Sequence, residues 1–306
     1  MRKSILTIAI LLSVAVLSAQ SRIISDLDAF TIVDLTFKGN VIIRQSAERH
    51  QITLKSNDNN LIENTHIEVV KGKLFITMAG SFNSKTNTNI QMVILLPHLE
   101  GLYIRGTGNV ELAGAKEQNL TIINSGTGVC TILSLTVEKS LELHNTGTGN
   151  IFVHNSGTIW QETLLINNSG AGNVNISAGS VSNSLIVNNK GAGNVSVNLT
   201  SNPTEELVLQ NTGSGNINIQ NVSAKRAELR NQGPGNMTFL NGNADEMTLI
   251  SVGAGTTNTQ LMKVKTAHIT HSGSGNVIAT VTDTAYLTNK TNIGNVTIHG
   301  GGKLVW

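Results

Sequence analysis

The chain has 306 residues and a formal net charge of +2 at pH 7, with only 13% charged and 3% aromatic residues. No block of like charges occurs, which excludes the basic footprint of a nucleic-acid-binding protein, and the single cysteine, Cys130, excludes an internal disulfide framework. Stability must therefore come from packing and backbone pairing in a chain rich in Asn, Thr, Ser and Gly, a composition that suits flat, polar, stacked strands.

Residues 1–19 read as a secretory signal peptide. Met1-Arg2-Lys3 is followed by an apolar run from Ile5 to Leu17, with Ser18-Ala19 as small residues before a cleavage point at Gln20. The run falls short of the roughly 20 residues that span a bilayer. No later stretch is apolar enough to cross a membrane, so the mature chain, residues 20–306, is expected as one domain outside the cytoplasm.

Between residues 25 and 97 five segments alternate like strands without any Gly-x-Gly: TIVDLTF from Thr31, GNVIIRQ from Gly39, HQITLKS from His50, KLFITMA from Lys73 and IQMVILLP from Ile90. They are expected to form irregular first coils and an N-terminal cap; a separate N-terminal sandwich is the alternative.

From residue 98 to 299 a heptad-sized motif returns ten times: an Asn, a small polar residue, Gly-x-Gly, a second Asn, and Val or Ile. Clear copies start at Asn124, Asn145, Asn168, Asn189, Asn211 and Asn231, and looser ones lie at Gly106, Gly253, Gly273 and Asn292. Their spacing of roughly 20 to 23 residues is that of a solenoid coil. Around Gly147, residues Leu141, Leu143, Asn145, Gly147, Gly149, Ile151 and Val153 share one parity, and the copies around Gly170 and Gly191 repeat it. Period-two alternation predicts strands, with the apolar set, the first Asn and both glycines facing inward.

Inward glycines let the backbone bend and approach the coil axis, which marks a corner between two strands. The inward Asn residues would stack carboxamide on carboxamide at the strand spacing of about 4.8 Å. The second Asn, at Asn109, Asn150, Asn173, Asn194, Asn216, Asn236, Asn276 and Asn295, forms an outward or corner row. Coil length varies in the segments Asn155–Glu162, Ser177–Ser184 and Ser201–Glu206, so a second corner absorbs insertions. Parallel stacking with right-handed connections follows: an all-β, right-handed parallel β-helix.

Departures from the motif are informative. Cys130 takes an inward Val/Ile slot as a small core residue, Thr257 replaces Val, and Ser251 and His271 replace the inward Asn as hydrogen-bonded core substitutes. An extra residue after Asn289 suggests a bulge. The closing stretch, residues 300–306, forms a C-terminal cap with Trp306 as lid.

The stretches LDAFTIVDLTFKGNVIIRQS from Leu27, IEVVKGKLFIT from Ile67 and LLPHLEGLYIRGTGNVEL from Leu95, with the repeated Gly-x-Gly-Asn corners, resemble the family described as "putative auto-transporter adhesin, head GIN domain". The most specific part is the Leu-Pro-x-Leu step from Leu96 to Leu99 into the corner at Gly106. The resemblance covers nearly the whole mature chain. It implies a secreted or surface-exposed β-helical protein of Gram-negative envelopes with an adhesive role, and carries no catalytic or ligand residues. No C-terminal barrel pattern follows the repeats, so self-export is not expected.

Enzymatic readings find little support. Glycoside chemistry needs carboxylates brought together, yet acidic residues in the repeats are sparse. Glu205-Glu206 and Asp245-Glu246 could approach each other two coils apart, at roughly 10 Å, though solvated second-corner charges explain them as well. No Asp follows Gly-x-Gly to bind Ca²⁺, and no helix follows to receive a pyrophosphate. We expect no catalytic, metal or cofactor residues.

Binding remains open. The outward residue of each Gly-x-Gly (Thr107, Thr127, Thr148, Ala171, Ala192, Ser214, Pro234, Ala254 and Ser274) forms a flat row. Such a row suits contact with a glycan, matrix or surface protein, or simply a tight corner. Phe152 and Trp160 are the outward aromatics of the repeats. A non-catalytic adhesin is the leading expectation; a periplasmic scaffold and a carbohydrate-active enzyme are the alternatives.

Overall fold

The computed structural model describes residues 20–78, 90–200, 203–289 and 294–306. The signal-peptide stretch 1–19 and the extra residue expected after Asn289 lie outside the described residues. What is described is an all-β parallel solenoid of twenty-four strands and one short helix.

Alternation drives each strand to bury one side. The N-terminal strands are β1 (Gln20–Ile24), β2 (Ile32–Thr36), β3 (Asn40–Gln45), β4 (Gln51–Ser56), β5 (Thr65–Val70), β6 (Lys73–Met78) and β7 (Ile90–Leu96), with helix α1 (Asn59–Glu63) between β4 and β5. The regular coils begin with β8 (Gly101–Ile104), β9 (Asn109–Ala113), β10 (Lys116–Asn124), β11 (Cys130–Leu133) and β12 (Thr136–Asn145). Within β10, Leu120, Ile122 and Asn124 are buried while Thr121 and Ile123 are half-exposed, as a period of two requires.

Stacking is parallel and in register. The inward position runs Asn124, Asn145, Asn168, Asn189, Asn211, Asn231, Ser251 and His271, one per coil, at steps of 20 to 23 residues. All eight are at most 1% exposed. Cys130 aligns with Val110 and Ile151 and is wholly buried, which pushes its thiol up to about 12.

Each coil has three sides, one more than the alternation suggested. A long side such as Leu120–Asn124 leads through Gly-x-Gly to a second side such as Cys130–Leu133, and a short third side follows, where Lys116 and Glu117 pair with Thr136 and Val137. Gly114, Ser134 and Asn221 occupy equivalent turns before that third side, with φ of 70°, 56° and 57°.

The corner glycines serve a purpose beyond bending. A Cβ at Gly126 would collide with the carbonyl oxygen of Gly106, one at Gly128 with that of Gly108, and one at Gly193 with that of Gly172. None of these residues has positive φ. Glycine is required because successive coils meet backbone on backbone at this corner; a side chain would wedge them apart.

Residues 25–97 do not stack in chain order. Strand β2 lies between β6 and β8, and β3 between β7 and β9, all parallel. The first coil formed is thus covered on one side by strands that arrive later, before the chain crosses to the other. Antiparallel strands then cover this end: β4 on β7, β1 on β4 and β5 on β6. Asp58 caps α1, accepting from Asn60 N, and the helix adds Leu61 and Ile62 to one core that continues to Leu287. At the other end Trp306 is 81% exposed, so it does not act as a lid; Val296 and Ile298 instead pack against the core's edge.

Candidate binding surface

The long side of the coil turns its second parity to solvent, and three consecutive coils present the same chemistry there. Thr163, Leu165 and Asn167 align with Ser184, Ile186 and Asn188, and these with Glu206, Val208 and Gln210. The aliphatic and carboxamide side chains are all half-exposed. Ser169, Lys190 and Thr212 follow at the corner and are exposed. The result is an apolar row, Leu165–Ile186–Val208, lying beside an amide row, Asn167–Asn188–Gln210.

Hydrogen bonds between coils hold the amides. Asn188 Nδ2 donates to Asn167 Oδ1 at 2.9 Å, and Asn167 Nδ2 donates to His144 Nδ1 at 3.2 Å. His144 Nε2 lies 3.4 Å from Glu142 Oε2. Along the corner side of this row runs a cleft lined by His144, Thr146, Asn167, Asn168, Ser169, Asn188 and Lys190. Glu142 bounds the tract on one side, and the Glu228–Arg230 pair, at 2.6 Å, on the other.

Nearer the N-terminus the same face carries an ion cluster. Asp34 is 5% exposed and receives Lys73 Nζ at 2.7 Å, Arg105 Nε at 3.0 Å and Arg105 Nη2 at 3.2 Å. Lys73 Nζ also sits 4.4 Å from the centroid of Tyr103 and 4.8 Å from that of Phe75. These residues come from β2, β6, β8 and the position directly after β8, so the cluster ties together the strands whose order departs from the chain. Alternation in Lys73-x-Phe75 and Gly101-x-Tyr103 was the available signal for these outward aromatics, which the sequence reading passed over.

The carboxylates do not assemble a catalytic pair. Arg226 stands in register between Glu206 and Glu246, Lys225 Nζ binds Glu205 Oε1 at 2.7 Å, and Lys265 Nζ binds Asp245 Oδ1 at 2.7 Å. The hydrogen bond that Lys265 donates to Asp245 raises the Lys265 pKa above its ordinary value. Glu117 is buried but occupied structurally, accepting from Leu99 N at 2.8 Å and Gln45 Nε2 at 3.0 Å. Among the described residues no group of three or more His, Cys, Asp or Glu is placed to hold a metal, and no helix is long and apolar enough to cross a membrane.

The small outward residues of Gly-x-Gly, from Thr107 to Ser274, are exposed as expected and form a ridge at the corner. Phe152 is half-buried and stacks on His154, with centroids 5.9 Å apart, on the second side of the coil, away from the apolar and amide rows. The Trp160 side chain lies outside the described residues. The second Asn row has a role that the sequence reading missed: Oδ1 of Asn150 accepts from Asn173 N at 2.7 Å, Asn173 from Asn194 N at 2.8 Å, and Asn194 from Asn216 N at 2.9 Å.

Residues 29–207 and 200–302 match the family model described as "Putative auto-transporter adhesin, head GIN domain". Among solved structures, the chain is similar to a "putative adhesin" from Bacteroides fragilis (16% identity, TM-score 0.40, covering 94% of this chain and 95% of that one). It is also similar to a "putative lipid binding protein" from Parabacteroides distasonis (16%, 0.45, 94% and 97%) and a "putative adhesin" from Parabacteroides merdae (15%, 0.41, 94% and 96%). No curated protein matches the sequence.

Proposed function

Because the chain belongs to the family of putative auto-transporter adhesins with a head GIN domain, we propose that it is an exported, non-catalytic surface protein that adheres through the outward long side of its coils. The observation that carries this reading is the threefold recurrence of one aliphatic and one carboxamide side chain at matched positions of neighbouring coils. A surface of this kind offers contact area and hydrogen bonding without a reactive group, and each carboxylate bordering it has a partner: Glu206 stands in register with Arg226, Glu228 pairs with Arg230, and Glu142 lies 3.4 Å from His144 Nε2. Residues 1–19 supply the export signal in this reading.

Protease shaving of intact cells tests the location. The protein should be cut from outside; full protection, with cutting only after the outer membrane is opened, would instead support a periplasmic scaffold. Beads coated with the protein test adhesion: they should attach to host matrix or cell surfaces, and Ile186→Glu should reduce attachment without changing the melting temperature. Turnover of any polysaccharide by the purified protein would overturn the non-enzymatic reading.

A further inference from the structure

We propose that the tract of Leu165, Asn167, Ile186, Asn188, Val208 and Gln210 binds an extended, uncharged polysaccharide lying along the solenoid axis, with about one sugar per coil. This rests on the adhesive reading and names its ligand class.

The chemistry of each coil matches that of a pyranose. An aliphatic side chain offers support for the ring's C–H face, and the carboxamide beside it offers both donors and acceptors to hydroxyls at the ring's edge. Each of the three coils repeats the pair, in the same columns, at the strand spacing of about 4.8 Å. An extended, β-1,4-linked glycan advances by a comparable step per sugar with alternate rings turned over, so each ring can rest a face on the aliphatic row while the amide row meets opposite ring edges in turn.

The amides are set before a ligand arrives. Asn188 donates to Asn167 and Asn167 to His144, which holds the planes of two carboxamides; one Nδ2 hydrogen on each remains for a ligand. Side chains already held lose less freedom on binding. The adjoining cleft, with Thr146, Ser169 and Lys190 on its corner side, gives exocyclic groups a place to turn in.

Charge and size select among polymers. Within the two rows there is no ionised group, and beside them Glu206 stands in register with Arg226 and Glu228 pairs with Arg230, so apart from Lys190 in the cleft the surroundings offer no row of positive charge to hold a polyanion. The long side that carries the tract measures about 15 Å by about 20 Å, three coils by six paired residues. That is about 300 Å², well below the roughly 800 Å² per partner of a stable protein interface. A narrow chain fits it better than a protein surface does.

The experiment is titration of the purified protein with neutral β-1,4-linked hexamers of glucose, mannose and xylose, with the corresponding dimers, and with polygalacturonate. At least one neutral hexamer should bind, its dimer at least about tenfold more weakly, because binding across successive coils is cumulative. Asn188→Ala and Ile186→Ala should each weaken hexamer binding by about tenfold, the equivalent of one lost hydrogen bond or apolar contact. Asn218→Ala, half-exposed on the second side of the coil, should leave it unchanged, and all three variants should keep the parent's circular dichroism.

The proposal is overturned if no neutral hexamer binds, if dimer and hexamer bind equally, if polygalacturonate binds more tightly, or if the two face variants bind as the parent does. Failure here with bead attachment still sensitive to Ile186→Glu removes the glycan and leaves the adhesive face. Failure of both removes the adhesive reading too.

Discussion

Asn168 Nδ2 donates to Asn189 Oδ1 at 3.2 Å and to Gly193 O at 3.1 Å, so one buried carboxamide joins its own coil to the next twice. The same atom in Asn124 and Asn211 instead reaches the second glycine carbonyl of its own corner, at 3.1 and 3.0 Å. The inward Asn is therefore a brace for the glycine corner as well as a rung between coils.

Asn168→Leu and Asn189→Leu should lower the unfolding midpoint more than Asn150→Leu. The inward changes leave buried carbonyls and amides unpaired, at about 1 to 3 kcal/mol each. Asn150→Leu frees the Asn173 N–H where Asn150 and Asn173 are only half-buried and water can replace the lost acceptor. Urea titration of the three variants checks the order; equal losses would contradict the assigned parity.

Gly193→Ala should destabilise severely, beyond the usual overpacking cost of about 1 to 3 kcal/mol, because the methyl would meet the Gly172 carbonyl and backbone cannot step aside. Gly114→Ala has open space but φ of 70°, and should lose about 1 to 2 kcal/mol from conformation alone. Gly301→Ala meets nothing and should melt with the parent. Thermal melts of the three separate close approach from backbone preference.

Cys130 should resist thiol reagents in the native protein and react at once in denaturant. Its folded pKa, near 12 against an ordinary 9.0, lies above the unfolded value. Between those values the unfolded chain binds fewer protons, so this residue's contribution is intact below about pH 9 and falls as pH rises toward 12. Cys130→Val, matching Val110 in the coil before, should remove that part of the alkaline loss in pH-dependent unfolding.

Asp34→Ala should cost about 1 to 3 kcal/mol, since it removes charged hydrogen bonds from Lys73 and Arg105, whose side chains are 24% and 54% exposed and keep access to water. Glu205→Ala removes a pair in which both side chains are at least half-exposed, and should change stability by no more than about 1 kcal/mol. Denaturant midpoints at low and high salt check both, the second effect vanishing with salt.

Much of the candidate site was present in the alternation, yet was not singled out. Leu165, Ile186 and Val208 sit one residue after the inward leucines Leu164, Leu185 and Leu207, so their outward parity was legible. Their meeting in one column depended on register across insertions that differ from coil to coil, and register is a property of paired strands. The Asp34 cluster was less accessible still, because it joins positions up to 71 residues apart.

By itself the sequence determined the parallel stack and its interior: alternation decides which side chains are dry, and a motif recurring at nearly constant distance can satisfy its backbone only by pairing with copies of itself. Tertiary structure alone decided that β2 is enclosed by β6 and β8, that the coil has a third side, and that the corner glycines exist for the contact between coils. Backbone N–H and C=O groups are alike in every strand, so local residues cannot specify which neighbour they pair with. Only the assembled core, with its shared close contacts, makes that choice.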